Sequence, residues 1–304
     1  MKKLFLISFL FLFQLSFAQK FYVGVDAAYL MPFVPDVIGV NSENQSIFIT
    51  PSSGGITYTS SSSYNAVKGS YNSGNSVGGF IGYRLNENIS IETGMNYLYS
   101  NEYVYSTSSS NTQISSFTAP PQITNSMGVY DYKTKSNMLN IYPALKFSIP
   151  NKSFTTYLRT GFIYSITSII NDRNSVSGNQ TIEQSRNKYG NSYGLFASLG
   201  IEKKLDNHLK IFAEWTLRYQ TFSPIKERYT KDIENGVDKL PSMNVSQIER
   251  EYVDSYSSTY NGTGPSTDPN QPTKVFASKQ TFGSMGLQVG IIYEFGFKKA
   301  PVTK

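Results

Sequence analysis

The sequence predicts an all-β fold: an eight-stranded antiparallel up-and-down transmembrane β-barrel with long extracellular loops and short periplasmic turns. Three observations predict it. Eight runs of period-two alternation each reach the roughly 9–11 residues that a tilted strand needs to cross a bilayer. The connections between those runs alternate between short and long. The N-terminus reads as an export signal.

The export signal is the first element. Lys2 and Lys3 are its positive start, Leu4 to Phe13 its apolar core, and Ser16-Phe17-Ala18 its small-residue cleavage site, so cleavage is expected before Gln19. The apolar run is about half of the ~20 residues that a membrane-spanning helix needs, which favours a signal peptide over an anchor. The expected organisation is a signal peptide over 1–18, one barrel domain over 19–297 and a short periplasmic tail over 298–304.

The alternating runs follow: Phe21–Leu30, Val77–Leu85, Ile89–Tyr99, Leu139–Ser148, Thr156–Ile166, Tyr193–Lys203, Leu209–Tyr219 and Phe282–Phe297. Asn86-Glu87-Asn88, Pro150-Asn151-Lys152-Ser153 and Asp206-Asn207-His208 have tight-turn compositions. The segments near 31–76, 100–138, 167–192 and 220–281 are long and rich in Ser, Thr, Asn, Gly and Tyr. Sorting of loop lengths to two sides is what an outer-membrane barrel shows, and an even strand number places both termini in the periplasm.

Each run has one apolar face. In the last, Leu287, Val289, Ile291, Tyr293, Phe295 and Phe297 alternate with Gly286, Gln288, Gly290, Glu294 and Gly296. In the seventh, Leu209, Ile211, Ala213, Trp215, Leu217 and Tyr219 alternate with Lys210, Glu214, Thr216 and Arg218. Alternation alone does not say which face points inward, because a soluble barrel would turn the apolar face to its core. Aromatic placement favours lipid. Phe21, Tyr83, Phe147, Tyr293 and Phe295 lie near the turn ends, and Tyr29, Tyr97, Tyr99, Tyr164, Tyr193 and Tyr219 near the loop ends, as two interfacial girdles would. Pro143 removes a ladder donor inside the fourth run, so a bulge or a missing hydrogen bond is expected there.

Composition excludes several classes. With no cysteine there are no disulfides, thiol catalysis or thiolate metal sites. The net charge is +6, about +4 once Lys2 and Lys3 are set aside, and no basic cluster interleaves with aromatics, so nucleic acid is not an expected partner.

With the apolar face toward lipid, the opposite face collects Asp26, Arg84, Glu92, Lys146, Arg159, Glu202, Lys210, Glu214, Arg218 and Glu294. Five acids meet five bases. An eight-stranded barrel has an interior that side chains fill, and buried charge is tolerated when paired. A neutral polar plug is therefore expected in preference to a gated ion path or a catalytic carboxylate pair.

The strand count, the mature start Phe21-Tyr22-Val23-Gly24-Val25 and the closing segment Gly290-Ile291-Ile292-Tyr293-Glu294-Phe295-Gly296-Phe297 resemble the small outer-membrane β-barrels of the OmpX and OmpA membrane-domain type, particularly the PorT-like barrel proteins. The resemblance implies that the closing segment is the signal read by the barrel-assembly machinery. The chain runs on through Lys298 to Lys304, where many such barrels end at the aromatic residue.

Barrel enzymes that modify lipid use a histidine with a serine on the outer side. The one histidine, His208, falls in an expected periplasmic turn, where it is read as a solvated turn residue. One histidine without cysteine leaves only oxygen ligands for a metal, Asp131 and Asp268 are isolated, and Gly54-Gly55 and Gly78-Gly79 lack a phosphate-cradle context, so no cofactor is expected. Tyr58, Tyr64, Tyr71, Tyr103, Tyr105, Tyr130, Tyr132, Tyr229, Tyr252, Tyr256 and Tyr260 suit either an adaptable contact surface or strands extending above the membrane. The expected role is non-enzymatic, envelope-structural or surface-binding; the alternatives are an outer-leaflet lipid-modifying enzyme and a narrow pore. Expected partners are outer-membrane lipids, the barrel-assembly machinery and an unidentified surface ligand.

Overall fold

A computed structural model describes residues 21–50, 56–115, 122–255 and 268–295. The expected signal peptide and its cleavage site, Gly54-Gly55, Tyr256, Tyr260, Phe297 and the tail from residue 298 lie outside the described residues.

The described residues form fourteen strands instead of the eight expected. In chain order they are β1 (Phe21–Val34), β2 (Asp36–Thr50), β3 (Thr57–Gly69), β4 (Gly74–Arg84), β5 (Ile89–Ser100), β6 (Tyr103–Ser115), β7 (Gln122–Pro150), β8 (Thr155–Ser177), β9 (Gln180–Lys204), β10 (Leu209–Glu234), β11 (Val237–Asp238), β12 (Glu249–Val253), β13 (Thr273–Phe276) and β14 (Gln280–Glu294). Eight of them pair antiparallel in the order β1-β4-β5-β7-β8-β9-β10-β14, and β14 pairs back with β1. The hydrogen bonding returns to its start, which removes the exposed edge that an open sheet carries.

The alternation that builds these strands also decides their faces. The apolar side points outward: Val25, Phe162 and Leu199 are 62%, 67% and 67% exposed. The charged side points inward, with Glu92 and Glu214 at 1% and 2%. Water would not leave so much aliphatic surface outside a core filled with charge, whereas hydrocarbon requires it. Both sets of girdle aromatics lie on this outer surface, and Phe21 packs on Tyr83 with ring centroids 5.0 Å apart.

The three expected turns are present. Asn86 Oδ1 accepts from the amides of Asn88 and Ile89 at 2.8 Å, and Asp206 Oδ1 accepts from those of His208 and Leu209 at 2.7 Å. These side chains stand in for a backbone turn and fix the register of the adjoining strands.

The segments read as loops are largely strand. β7 to β10 run for 29, 23, 25 and 26 residues, well past the roughly ten that a bilayer takes, so they continue as a ribbon on the order of 40 Å beyond it. Onto that ribbon β6 adds beside β7, β2 adds parallel to β6, and β3 closes the blade. β12 pairs with β10 on the other flank, and β13 with β12. Turns at Gly178 (φ 57°) and at Asn235-Gly236 (φ 50° and 79°) cap the hairpins, where backbone of that sign favours Asn and Gly. Those dipeptides were a legible hairpin signal in segments otherwise read as polar loop.

Pro143 interrupts the ladder as its missing donor requires. β7 and β8 pair at Ile141–Tyr164 and resume at Ala144–Gly161 without a change of register, so the position is a gap and not a bulge. The last strand ends at Glu294, short of the expected Phe297, although the Phe295 amide still bonds the Phe21 carbonyl at 3.1 Å.

Candidate functional site

All ten charged residues expected in the lumen belong to the eight strands of the ring, and eight join in one chain. Arg84 meets Glu294 at 2.5 Å, Glu294 meets Lys210 at 2.6 Å, and Lys210 meets Glu202 at 3.5 Å. Glu202 pairs with Lys146, which reaches Glu92 at 3.5 Å; Arg159 lies 3.3 Å from Glu92 and pairs on its other side with Glu214. Signs alternate at every step, so no charge in the sequence of contacts faces only its like. A buried ion is tolerable in that arrangement because each is offset by a neighbour at contact distance. Asp26 and Arg218 stand outside the chain. Arg218 reaches the Gln288 amide oxygen at 3.4 Å, and neither Asp26 oxygen has a hydrogen-bond partner among the described residues.

Aromatic residues share this interior, which the list of charges missed. The Tyr22 hydroxyl donates to Glu92 at 2.6 Å and that of Tyr157 to Glu214 at 2.8 Å. The Lys146 ammonium sits 4.2 Å from the Tyr157 ring centroid, and the Arg159 guanidinium lies 5.6 Å from those of Phe80 and Phe196. The rings fit because glycines lie beneath them: Phe80 covers Gly24, Tyr22 covers Gly82, Tyr142 covers Gly94 and Tyr157 covers Gly200, and a Cβ at any of these would strike the ring. Tyr22 shares the period-two parity of Gly24 and Asp26, so its inward direction was available from spacing alone.

Along β8 the lumen changes character in layers. Above Arg159 comes a band of amides and hydroxyls, in which Asn140 donates to Asn96 at 2.7 Å, Gln220 to Ser165 at 2.6 Å, and Thr167 bonds Ser192 at 3.0 Å. A cavity of only 10 Å³ remains there, about the space of one water. Next is an apolar layer of Leu30, Leu98, Met138, Ile169, Phe222 and Phe282, each no more than 2% exposed. It lies one residue along the strand from the girdle residues Tyr29 and Tyr99, so it seals the barrel at the level of the loop-side interface. Tyr71 joins this layer, with its hydroxyl 3.2 Å from that of Thr134, instead of forming part of an adaptable surface.

Two recesses flank the seal. On the turn side a 290 Å³ recess is lined by Tyr22, Arg84, Lys146, Glu202, Lys210 and Glu294, with their charges already paired. Within the extension, a 230 Å³ vestibule is lined by Tyr105, Tyr132, Asn171, Asp172, Arg173, Gln184, Arg186, Lys188 and Glu227. Of the tyrosines read as loop residues, Tyr103 is a brace, its hydroxyl accepting from the Ser70 amide at 3.0 Å; Tyr105, Tyr130, Tyr132, Tyr229 and Tyr252 gather around the vestibule; Tyr58 and Tyr64 are exposed on the blade.

His208 occupies the turn between β9 and β10, yet it is half-buried and not simply solvated. Its Nδ1 lies 3.0 Å from the Glu294 carbonyl oxygen and its ring stacks on Tyr293 at 5.8 Å, which pins this turn to the end of β14. Among the described residues no group of three His, Asp or Glu could hold a metal ion.

A family model described as the outer membrane protein beta-barrel domain matches residues 43–246. No curated protein matches the chain. The solved structure of the outer membrane protease OmpT from Escherichia coli is similar at 7% identity over 91% of this chain and 97% of that one, with a TM-score of 0.28, a likeness too slight to bear on activity. The family match covers about two thirds of the sequence, and the outward apolar band and buried charge meet what that environment demands. The chain belongs to the outer membrane protein β-barrel domain family, whose place is the bacterial outer membrane.

Proposed function

We propose that the eight-strand ring spans the outer membrane with its three short turns in the periplasm and its β-extension outside, and that the protein is a sealed, non-enzymatic envelope barrel acting through surface binding. A signal peptide ending at Ala18 delivers it, the barrel-assembly machinery inserts it, and outer-membrane lipid covers the apolar band. The observation that carries the reading is the double closure of the lumen, by the chain of ion pairs at one level and by Leu30, Leu98, Met138, Ile169, Phe222 and Phe282 at another. A sealed lumen leaves the vestibule and blade as the parts open to a ligand.

Sidedness is testable because the chain has no cysteine. A single thiol introduced by Ser61→Cys on the blade is expected to react with a membrane-impermeant maleimide on intact cells, and one introduced by Asn207→Cys only after lysis. The reverse pattern would invert the topology. The pure protein in a planar bilayer is expected to show no steady current, and a sizeable steady conductance would favour the narrow pore. Deletion is expected to leave lipid A composition unchanged, whereas an altered composition would favour the lipid-modifying enzyme.

A further inference from the structure

The vestibule differs from the floor of the lumen in how its charges are matched. Glu227 is shared by Arg186 at 3.7 Å and Arg250 at 3.9 Å, and it also accepts from the Tyr252 hydroxyl at 2.6 Å. Its capacity is taken up. Buried Asp232 accepts from the Gln184 amide at 3.2 Å, and Asp172, which also lines the vestibule, pairs in register with Lys133 on β7.

Two inward cations make no ion pair among the described residues. Neither Arg173 nor Lys188 lies within 4.0 Å of a carboxylate among the described residues. The Arg173 guanidinium rests against the rings of Tyr130 and Tyr132, at 5.0 and 5.9 Å, and its Nε is buried without a hydrogen-bond partner among the described residues. The Lys188 ammonium lies 5.4 Å from the Tyr252 ring. Burial holds the Lys188 pKa below the ordinary lysine range, opposed by Glu227, its register partner on β10, and reinforced by the Arg250 charge. A cation partly kept from water with no anion at contact distance carries a cost that a bound anion would relieve.

The rest of the lining says what the anion is attached to. Tyr105 and Tyr132 stack at 4.9 Å with 8° between their planes and form a flat wall, and Asn171 and Gln184 add amides that can pair with hydroxyl groups. At 230 Å³ the vestibule is below the roughly 300–1,000 Å³ of sites for drug-sized ligands, a size suited to one ring. We propose that this vestibule binds an acidic sugar unit, with its carboxylate between Arg173 and Lys188, its ring against the Tyr105–Tyr132 wall and its hydroxyls toward Asn171 and Gln184. A free uronic acid and the acidic end of a surface polysaccharide offer the same chemistry. The proposal deepens the surface-binding reading and rests on it for its biological side.

Calorimetric titration of the full-length protein in detergent tests it, with glucuronate, a disaccharide ending in glucuronate, glucose and inorganic phosphate as probes. Glucuronate is expected to bind in the millimolar range or tighter, and glucose and phosphate at least about tenfold more weakly. Tighter binding of the disaccharide would assign the site to a glycan end, and equal binding to the free sugar; both support an acidic-sugar site. Arg173→Gln and Lys188→Gln are each expected to weaken glucuronate by at least about tenfold, while Tyr64→Phe on the blade leaves it unchanged. No glucuronate binding up to roughly 10 mM overturns the proposal whatever the variants do. So does phosphate binding equal to that of glucuronate, or well-folded Arg173 and Lys188 variants that bind normally. Detergent exposes both ends of the barrel, so failure here leaves sidedness untouched, and a topology inverted in the labelling experiment leaves the site itself untouched.

Discussion

The Tyr22 hydroxyl donates to Glu92 over 2.6 Å and ties together two strands that are not neighbours, because β4 lies between β1 and β5. Glu92 also faces Lys146 and Arg159, so this carboxylate links three elements across the lumen. Glu92→Gln keeps the shape and removes the charge, leaving both cations undercompensated at a cost of about 3–5 kcal/mol. Tyr22→Phe removes one hydrogen bond to a charged group, at about 1.5–3 kcal/mol. In urea titrations read by the difference in gel mobility between folded and boiled protein, both midpoints are expected to fall, that of Glu92→Gln further. Equal midpoints would show that the ion chain adds little.

Gly94 lies under the Tyr142 ring, where an added Cβ would collide with it. Gly94→Val is expected to destabilise by about 1–3 kcal/mol through overpacking. Adding Tyr142→Ala is expected to recover part of the loss, so the double variant lies above the sum of the singles. Gly128→Ala is a fair control, since its nearest neighbour would be the movable Ser109 hydroxyl at 3.3 Å. Strict additivity at Gly94 and Tyr142 would remove the ring-over-glycine account.

The Asp206 carboxyl is held below the usual range by hydrogen bonds from the amides of His208 and Leu209. A carboxylate with a depressed folded-state pKa stabilises above its unfolded pKa, and that contribution is lost as pH falls through the folded value. The folded protein is therefore expected to lose stability as pH falls below about 4, and Asp206→Asn to flatten that part of the curve. Thermal midpoints at pH 7, 4 and 2.5 would check it, and parallel curves for the two proteins would refute it.

Asp36 and Gly69 face each other as a register pair where the β2–β3 blade leaves the body. Removing residues 36–69 joins ends that are already adjacent, and it touches none of the eight pairings of the ring. The shortened protein is expected to keep heat-modifiable mobility and outer-membrane recovery. Failure to assemble would make the blade part of the barrel's folding unit.

Much of this was legible because β-structure facing two solvents writes itself locally. The Asn86 and Asp206 turns, the girdle tyrosines and the inward parity of Glu92, Arg159 and Glu214 follow from two-residue periodicity and turn chemistry. The extension was less legible. β3 and β6 are rich in serine, β2 and β3 are largely exposed on both faces, and none of the three carries a sustained apolar alternation; backbone pairing alone makes them strands. The Asn235-Gly236 turn and Gly178 were the available signals.

The sequence by itself determined which residues share a face, because side-chain direction in a strand depends only on parity. It also determined that ten charges of balanced sign fall on one such face. Only the tertiary structure decided that this face points inward, and that eight of the charges pair in alternating order while Asp26 and Arg218 do not. It alone brought Arg173, Lys188, Tyr105 and Tyr132 from four strands to one vestibule. Those relationships depend on register between strands far apart in the chain, and register is set by ring closure, which no local pattern encodes.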